Sequence, residues 1–288
     1  MTQNNPKSRL MLIASMTIFG TIGILRKYIP LSSGVVALCR AVVGTLFLLA
    51  VLFIRRQKPD LSAVRSHLVP LLLSGAALGF NWILLFESYN HTSVATATLC
   101  YYLAPILVIL ASPFVFKEAL TVKKGICAAI ALAGMVLVSG LPEAGFRGIT
   151  GLRGILCGLG AAVLYATVVM MNKNLTAIDA YSKTIFQLAV ASVALIPYVL
   201  LTENISALMI TPTAAGLLLV AGIVHTGVAY WLYFGSMTGL RAQTVALYSY
   251  IDPILAIVLS VLLLQEPMSI PAIIGAVMIL GAAFFSER

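Results

Sequence analysis

The chain has 288 residues, of which 61% are hydrophobic and 9% charged, and a net charge of +9. Water-soluble domains carry about 25% charged residues, so the composition excludes an ordinary soluble fold and leaves the lipid bilayer as the solvent. The basic residues are dispersed at the ends of apolar runs, where membrane topology accounts for them, and no nucleic-acid partner is expected.

Apolar segments run at about 10–25, 35–54, 68–86, 94–116 and 122–140, and again at 154–171, 185–201, 214–234, 245–264 and 272–285. A membrane-crossing helix needs about 20 apolar residues, so the pattern predicts an all-α integral membrane protein of ten transmembrane helices. Lys7 and Arg9 before the first segment have the order of a secretory signal, but no small-residue cleavage site follows and nine further segments do. The first segment is therefore expected to stay as a helix. Turn and charge signals separate the segments, among them Arg55 to Asp60, Leu141 to Gly145, and Gln265-Glu266-Pro267.

A cytoplasmic N-terminus puts Lys7, Arg9, Arg55, Arg56, Lys58, Arg65, Lys117, Lys123, Lys124, Lys173, Lys183, Arg241 and Arg288 inside, and only Arg26, Lys27, Arg147 and Arg153 outside. This asymmetry sets orientation, so both termini are expected in the cytoplasm, with the chain in the cell membrane. Cys39, Cys100, Cys127 and Cys157 each lie within an apolar run without a C-x-x-C pair, and neither a metal site nor a cofactor is expected.

The chain repeats itself. Phe86-Glu87-Ser88, Thr96, Leu99, Tyr102, Pro105 and Glu118 are matched by Phe234-Gly235-Ser236, Thr244, Leu247, Tyr250, Pro253 and Glu266, at an offset of 148 positions throughout. Two halves follow, 1–145 and 146–288. Each holds five helices, an odd number, so the second enters the membrane from the opposite side. Such inverted five-helix repeats are typical of secondary transporters, where the halves exchange conformations.

In each half an aromatic-rich helix, a short turn, a small-residue helix with a central proline, a glutamate and a glycine-rich helix follow one another. These are Trp82 to Tyr89, Pro105, Glu118, Gly125 and Gly134, and then Tyr230 to Phe234, Pro253, Glu266, Gly275 and Gly281, with Arg40 early in the second helix. On these residues the chain resembles the EamA family of the drug/metabolite transporter superfamily along nearly its whole length. The resemblance implies export of small organic solutes such as amino acids through a central cavity shared by the halves. It does not specify the solute.

Charge inside a bilayer is costly, which singles out Arg40, Asp252 and Glu87. Arg40 either binds a substrate carboxylate by fork-like hydrogen bonds or is a structural or snorkelling side chain. Thr244, Tyr248 and Asp252 recur at i, i+4 and i+8, on one face of a continuous helix. Asp252 either meets a substrate amine or a proton, or bonds backbone freed by Pro253, or pairs with Arg40. Tyr102 and Tyr250, each three residues before a proline, are expected at the cavity, and Pro105 and Pro253 are candidate hinges or static kinks. His225 is either a neutral bonded histidine or a titrating cavity group. Glu87 and His91 are read as a rim, and Thr121 and Ser269 as helix caps.

The substrate-binding set expected is thus Arg40, Tyr102, His225, Tyr248, Tyr250 and Asp252. No H-E-x-x-H, aspartate pair or P-loop appears, so no enzyme activity is expected. The reading is a secondary transporter exporting small polar metabolites, amino acids first, by alternating access. The alternatives are another metabolite or drug-like solute, or an uncoupled channel. Besides the solute and the bilayer, protons are a candidate partner, and the oligomeric state is open between monomer and homodimer.

Overall fold

The structure, a computed structural model, describes residues 5–56, 61–117, 119–140, 151–173, 175, 177–204, 208–237, 240 and 242–286. Lys58, Asp60, Glu118, the turn at 141–145, the boundary between the halves, Arg147, Arg241 and Arg288 lie outside the described residues.

Helices account for nearly all of what is described, and no strand occurs among the described residues. The first half holds α1 (Pro6–Gly20), α2 (Ile22–Lys27), α3 (Ser33–Ile54), α4 (Leu61–Ser66), α5 (Leu68–His91), α6 (Val94–Tyr101), α7 (Ala104–Val115) and α8 (Val122–Val138). The second holds α9 (Leu152–Lys173), α10 (Ala180–Thr202), α11 (Pro212–Gly222), a π-helical turn (Ile223–Val228), α12 (Ala229–Met237), α13 (Ala242–Ser249), α14 (Ile251–Leu263) and α15 (Ile270–Ser286). By length and composition seven helices can cross a membrane: Pro6–Lys27, Ser33–Ile54, Leu68–His91, Val94–Val115, Leu152–Lys173, Ala180–Thr202 and Pro212–Ser236. Leu247–Leu263 and Ile270–Ser286 are shorter apolar helices.

Helix starts follow local chemistry. Ser32, Ser93, Thr121, Asp179 and Thr211 each accept a hydrogen bond from a backbone N–H in the first turn they precede, satisfying a donor that the helix leaves unpaired. Ser269 likewise accepts from Ala272 N at 3.3 Å.

Two expected segments are not continuous. The run at 94–116 breaks at Tyr102 and Leu103, and the run at 245–264 breaks at Tyr250, in each case just before the proline. Proline lacks a backbone donor and its ring crowds the carbonyl four residues back, those of Tyr101 and Ser249, so each segment is interrupted two or three residues before its proline, which then sits in the first turn of the next helix.

The packing is matched between the halves. α1 lies along α12 and α9 along α5; α3 packs on α10, α8 on α15, and α6 on α14. Each of these pairs joins one half to the other, and the main core draws Val36, Leu78, Trp82 and Phe86 from the first half and Leu188, Leu195 and Leu218 from the second. Outward, Phe53, Phe114 and Leu201 are more than four-fifths exposed, a surface suited to hydrocarbon rather than water. One end of the bundle is tied across the halves. Glu266 Oε2 accepts from Val94 N at 2.8 Å, its Oε1 pairs with Lys27 Nζ at 3.1 Å, and Ser260 Oγ accepts from Ala95 N at 3.2 Å. Second-half side chains thus cap the start of a first-half helix.

α8 and α15 meet glycine on glycine. A Cβ added to Gly134 would stand 2.8 Å from Gly275 O and 2.9 Å from Met278 Cβ, and one added to Gly275 would meet Gly134 O and stand 2.9 Å from Val138 Cγ2. Without a hydrophobic force between helices in lipid, such close approach is what holds them. Gly275→Val is therefore expected to cost about 1–3 kcal/mol through overpacking, seen as a lower melting temperature of the detergent-solubilised protein. Gly281→Ala, where an added Cβ meets nothing within 4 Å, leaves melting unchanged or raises it.

Candidate functional site

A cavity of about 620 Å³ lies between the halves. The two helix breaks open onto it. Tyr102 and Pro105 reach it from the α6–α7 break, and Tyr250 and Asp252 from the α13–α14 break. Asp252 sits in the first turn of α14, where the positive end of the helix dipole favours a carboxylate. Its Oδ2 accepts from the Tyr102 hydroxyl at 2.8 Å, so the two breaks are joined by a single side-chain bond across the halves.

The wall is aromatic. Tyr89, Tyr101, Tyr102, Tyr165, Tyr230, Tyr233 and Tyr250 line the cavity together with Trp82 and Phe19. Tyr101 and Tyr165 pack at 5.1 Å between ring centroids, and Phe19 and Tyr230 at 5.3 Å. Phenols offer a flat apolar face and a polar tip, which suits a solute with both kinds of surface.

Arg40 brings the second charge. It projects from α3, and its guanidinium lies 4.1 Å from the Trp82 ring centroid and 5.7 Å from that of Phe86. Nε donates to Thr226 Oγ1 at 2.8 Å and Nη2 to the His225 carbonyl at 3.4 Å. Among the described residues no ion pair joins Arg40 to Asp252; the pairs formed involve Glu266 and Glu87. One basic and one acidic side chain therefore face the same cavity without a direct ion pair.

Five of the residues expected from sequence, Arg40, Tyr102, Tyr250, Asp252 and Pro105, line this cavity; His225, Tyr248 and Pro253 do not. His225 is buried and turned towards the chain break between α1 and α2. There Nε2 meets Thr21 Oγ1 at 2.9 Å, and Nδ1 meets Val220 O at 3.3 Å. Tyr248 leaves the stripe for a geometric reason. The i, i+4, i+8 pattern assumes one helix, and the break at Tyr250 resets the helical phase between Tyr248 and Asp252. Pro253 is buried at the start of α14.

Glu87 stands apart from the cavity. Its carboxylate binds His91 Nε2 and Arg153 Nη2, each at 2.9 Å, and accepts from Ser33 Oγ at 2.9 Å and Asn90 Nδ2 at 3.2 Å. It ties the ends of α3, α5 and α9 together. Two residues of the site carry no signal in the sequence. Tyr165 is a lone tyrosine in a run of small residues, and Thr226 is one threonine among many. Only the π-helical turn gives Thr226 its place beside Arg40.

Membrane-crossing helices packed around an aromatic, doubly charged cavity of solute size define a multi-pass membrane protein with an internal binding site. The model of the EamA-like transporter family matches residues 7–140 and again 152–287, and the chain belongs to this family. It is a membrane transporter of small solutes.

The chain is 31% identical over 251 residues to "Uncharacterized transporter YxxF" of Bacillus subtilis (strain 168), covering 86% of this chain and 79% of that one. It is 24% identical over 214 residues to "Protein PecM" of Dickeya dadantii (strain 3937), covering 73% and 70%. A solved crystal structure 19% identical in sequence shares the fold, with a TM-score of 0.67 over 99% of this chain and 98% of that one.

The Tyr102–Asp252 bond generates a double-mutant test. Removing one partner leaves a part-buried polar group without its bond, at a cost of about 0.5–1.5 kcal/mol, whereas removing both costs less than the sum. Tyr102→Phe and Asp252→Leu are each expected to lower the melting temperature of purified protein, and the double variant to fall short of additivity. Full additivity would show the bond to be energetically idle.

Proposed function

We propose that the chain is a secondary carrier that exports small polar organic solutes, amino acids foremost, by alternating access. Its ten crossing helices form two inverted five-helix halves, 1–145 and 146–288, with both termini in the cytoplasm. Solute sits between the halves on Arg40, Tyr102, Tyr250 and Asp252, and the breaks before Pro105 and Pro253 are the hinges. The observation that carries this reading is the separated pair of charges in an aromatic cavity. An amino-acid zwitterion complements it: the carboxylate meets the guanidinium through charge-assisted hydrogen bonds, and the ammonium meets Asp252 and the phenol faces.

The family match supports the carrier half of the reading, and the charge distribution in the loops supports the orientation. His225 and Tyr248 are left out of the binding set because their side chains lie off the cavity lining.

Counterflow tests it. Proteoliposomes preloaded with a mixed unlabelled amino-acid pool are expected to accumulate a labelled amino acid saturably. Asp252→Asn and Arg40→Gln should each reduce that uptake about tenfold or more, the equivalent of ~1.4 kcal/mol. Folded protein that accumulates no amino acid overturns the substrate class. Flux that never saturates overturns the carrier.

A further inference from the structure

Arg40 is held by an unusual piece of backbone. The helix from Pro212 to Met237 is interrupted by a π-helical turn, Ile223–Val228, and such turns are rare and occur mostly at functional sites. Within it the Thr226 hydroxyl donates to Ala221 O at 3.1 Å, five residues back. Its only proton is thereby committed, and its oxygen is left to accept from Arg40 Nε at 2.8 Å. The His225 carbonyl in the same turn takes Nη2 at 3.4 Å.

The turn is pressed onto α3 by glycines on both sides. A Cβ on Gly44 would stand 3.0 Å from Thr226 Cβ, one on Gly222 would meet the Val43 side chain, and one on Gly227 would stand 2.6 Å from Phe47 Cγ. Trp82 packs against the guanidinium, 4.1 Å from Cζ to the ring centroid. Thr226 is wholly buried and does not line the cavity.

A guanidinium has two edges that can grip a carboxylate: the side edge of Nε and Nη2, and the end edge of Nη1 and Nη2. The turn occupies the side edge. Among the described residues Nη1 has no protein acceptor, while Arg40 itself lines the cavity.

We infer that Thr226 and the π-helical turn around it are a holder that positions Arg40 with its end edge free, and so set the transporter's preference for solutes bearing a carboxylate. This rests on the reading of the cavity as an amino-acid site. Thr226 is a positioning residue that acts through Arg40 and touches no solute.

The test separates positioning from general loss. Counterflow of a labelled amino acid by wild type, Thr226→Val and Thr226→Ser is competed by phenylalanine and, separately, by phenethylamine, which lacks the carboxylate. Thr226→Val keeps the shape but cannot accept from Nε. It is expected to need about tenfold more phenylalanine for half-inhibition, with phenethylamine unchanged, whereas Thr226→Ser keeps the wild-type ratio.

Arg40→Lys provides the same readout if Thr226→Val does not fold, since an ammonium keeps the charge without the fork geometry; it is expected to lose the same discrimination. A Trp231→Phe background leaves Trp82 as the one tryptophan, and its emission is expected to change in Thr226→Val as the guanidinium shifts on the indole. Discrimination retained in Thr226→Val, or in Arg40→Lys where that is the variant that folds, overturns the holder alone. Wild type that accumulates no amino acid overturns the reading of the cavity on which the holder depends.

Discussion

Hydrocarbon offers no hydrogen bonds, so a helix interrupted within a membrane leaves backbone amides and carbonyls that only protein or cavity water can pair. This chain interrupts its apolar segments at Thr21, at Tyr102 and Leu103, at the turn Ile223–Val228 and at Tyr250. All four fall where helices of both halves meet. Thr21 is bonded to His225, and Arg40 inserts at the π-helical turn. The other two breaks open on the cavity. The need to keep irregular backbone away from lipid thus gathers the irregular points between the halves, and two of them open on the site.

Close packing follows from the same constraint. α5 against α10 and α1 against α14 are contacts between halves, and they are close because small residues stand at the crossings. A Cβ on Gly75 would stand 2.8 Å from Gln187 O, and one on Gly20 2.8 Å from Asp252 O. Gly20 therefore lets α1 lie directly on the backbone that carries Asp252. Packing and site share atoms at that point, so a change in how the halves lie against each other moves the carboxylate.

Much of this is legible in the sequence because the repeat marks it. The constant offset linking Pro105 to Pro253 and Tyr102 to Tyr250 points to both broken helices, and Tyr102, Pro105 and Tyr250 do line the cavity. The rest is hidden for physical reasons. Helical phase carries Tyr248 onto the face of Asp252 only if the helix is unbroken, and the break at Tyr250 interrupts it. Depth within an apolar run marks His225 as buried, but depth does not say which way a ring points; here it points to Thr21. The π-helical turn has no periodicity signature. Its sequence, IVHTGV, reads as ordinary apolar helix, and what distinguishes it is a partner far along the chain, Arg40.

The repeat also clarifies what is not repeated. Tyr102 and Tyr250 are mates, but at the same offset Asp252 corresponds to Ala104. The scaffold is duplicated and the charges are not. The first half supplies the guanidinium and the second the carboxylate, so a solute long enough to touch both touches both halves at once. A ligand shifts a conformational equilibrium only by its difference in affinity between the states. In the proposed carrier each charge is also bonded across to the other half, Arg40 to Thr226 and His225 and Asp252 to Tyr102, so a rearrangement of the halves disturbs both and provides such a difference. The zwitterion proposed as solute is bound best at one separation of the two charges. On that proposal, occupancy of the cavity and the relation between the halves are coupled through these two side chains.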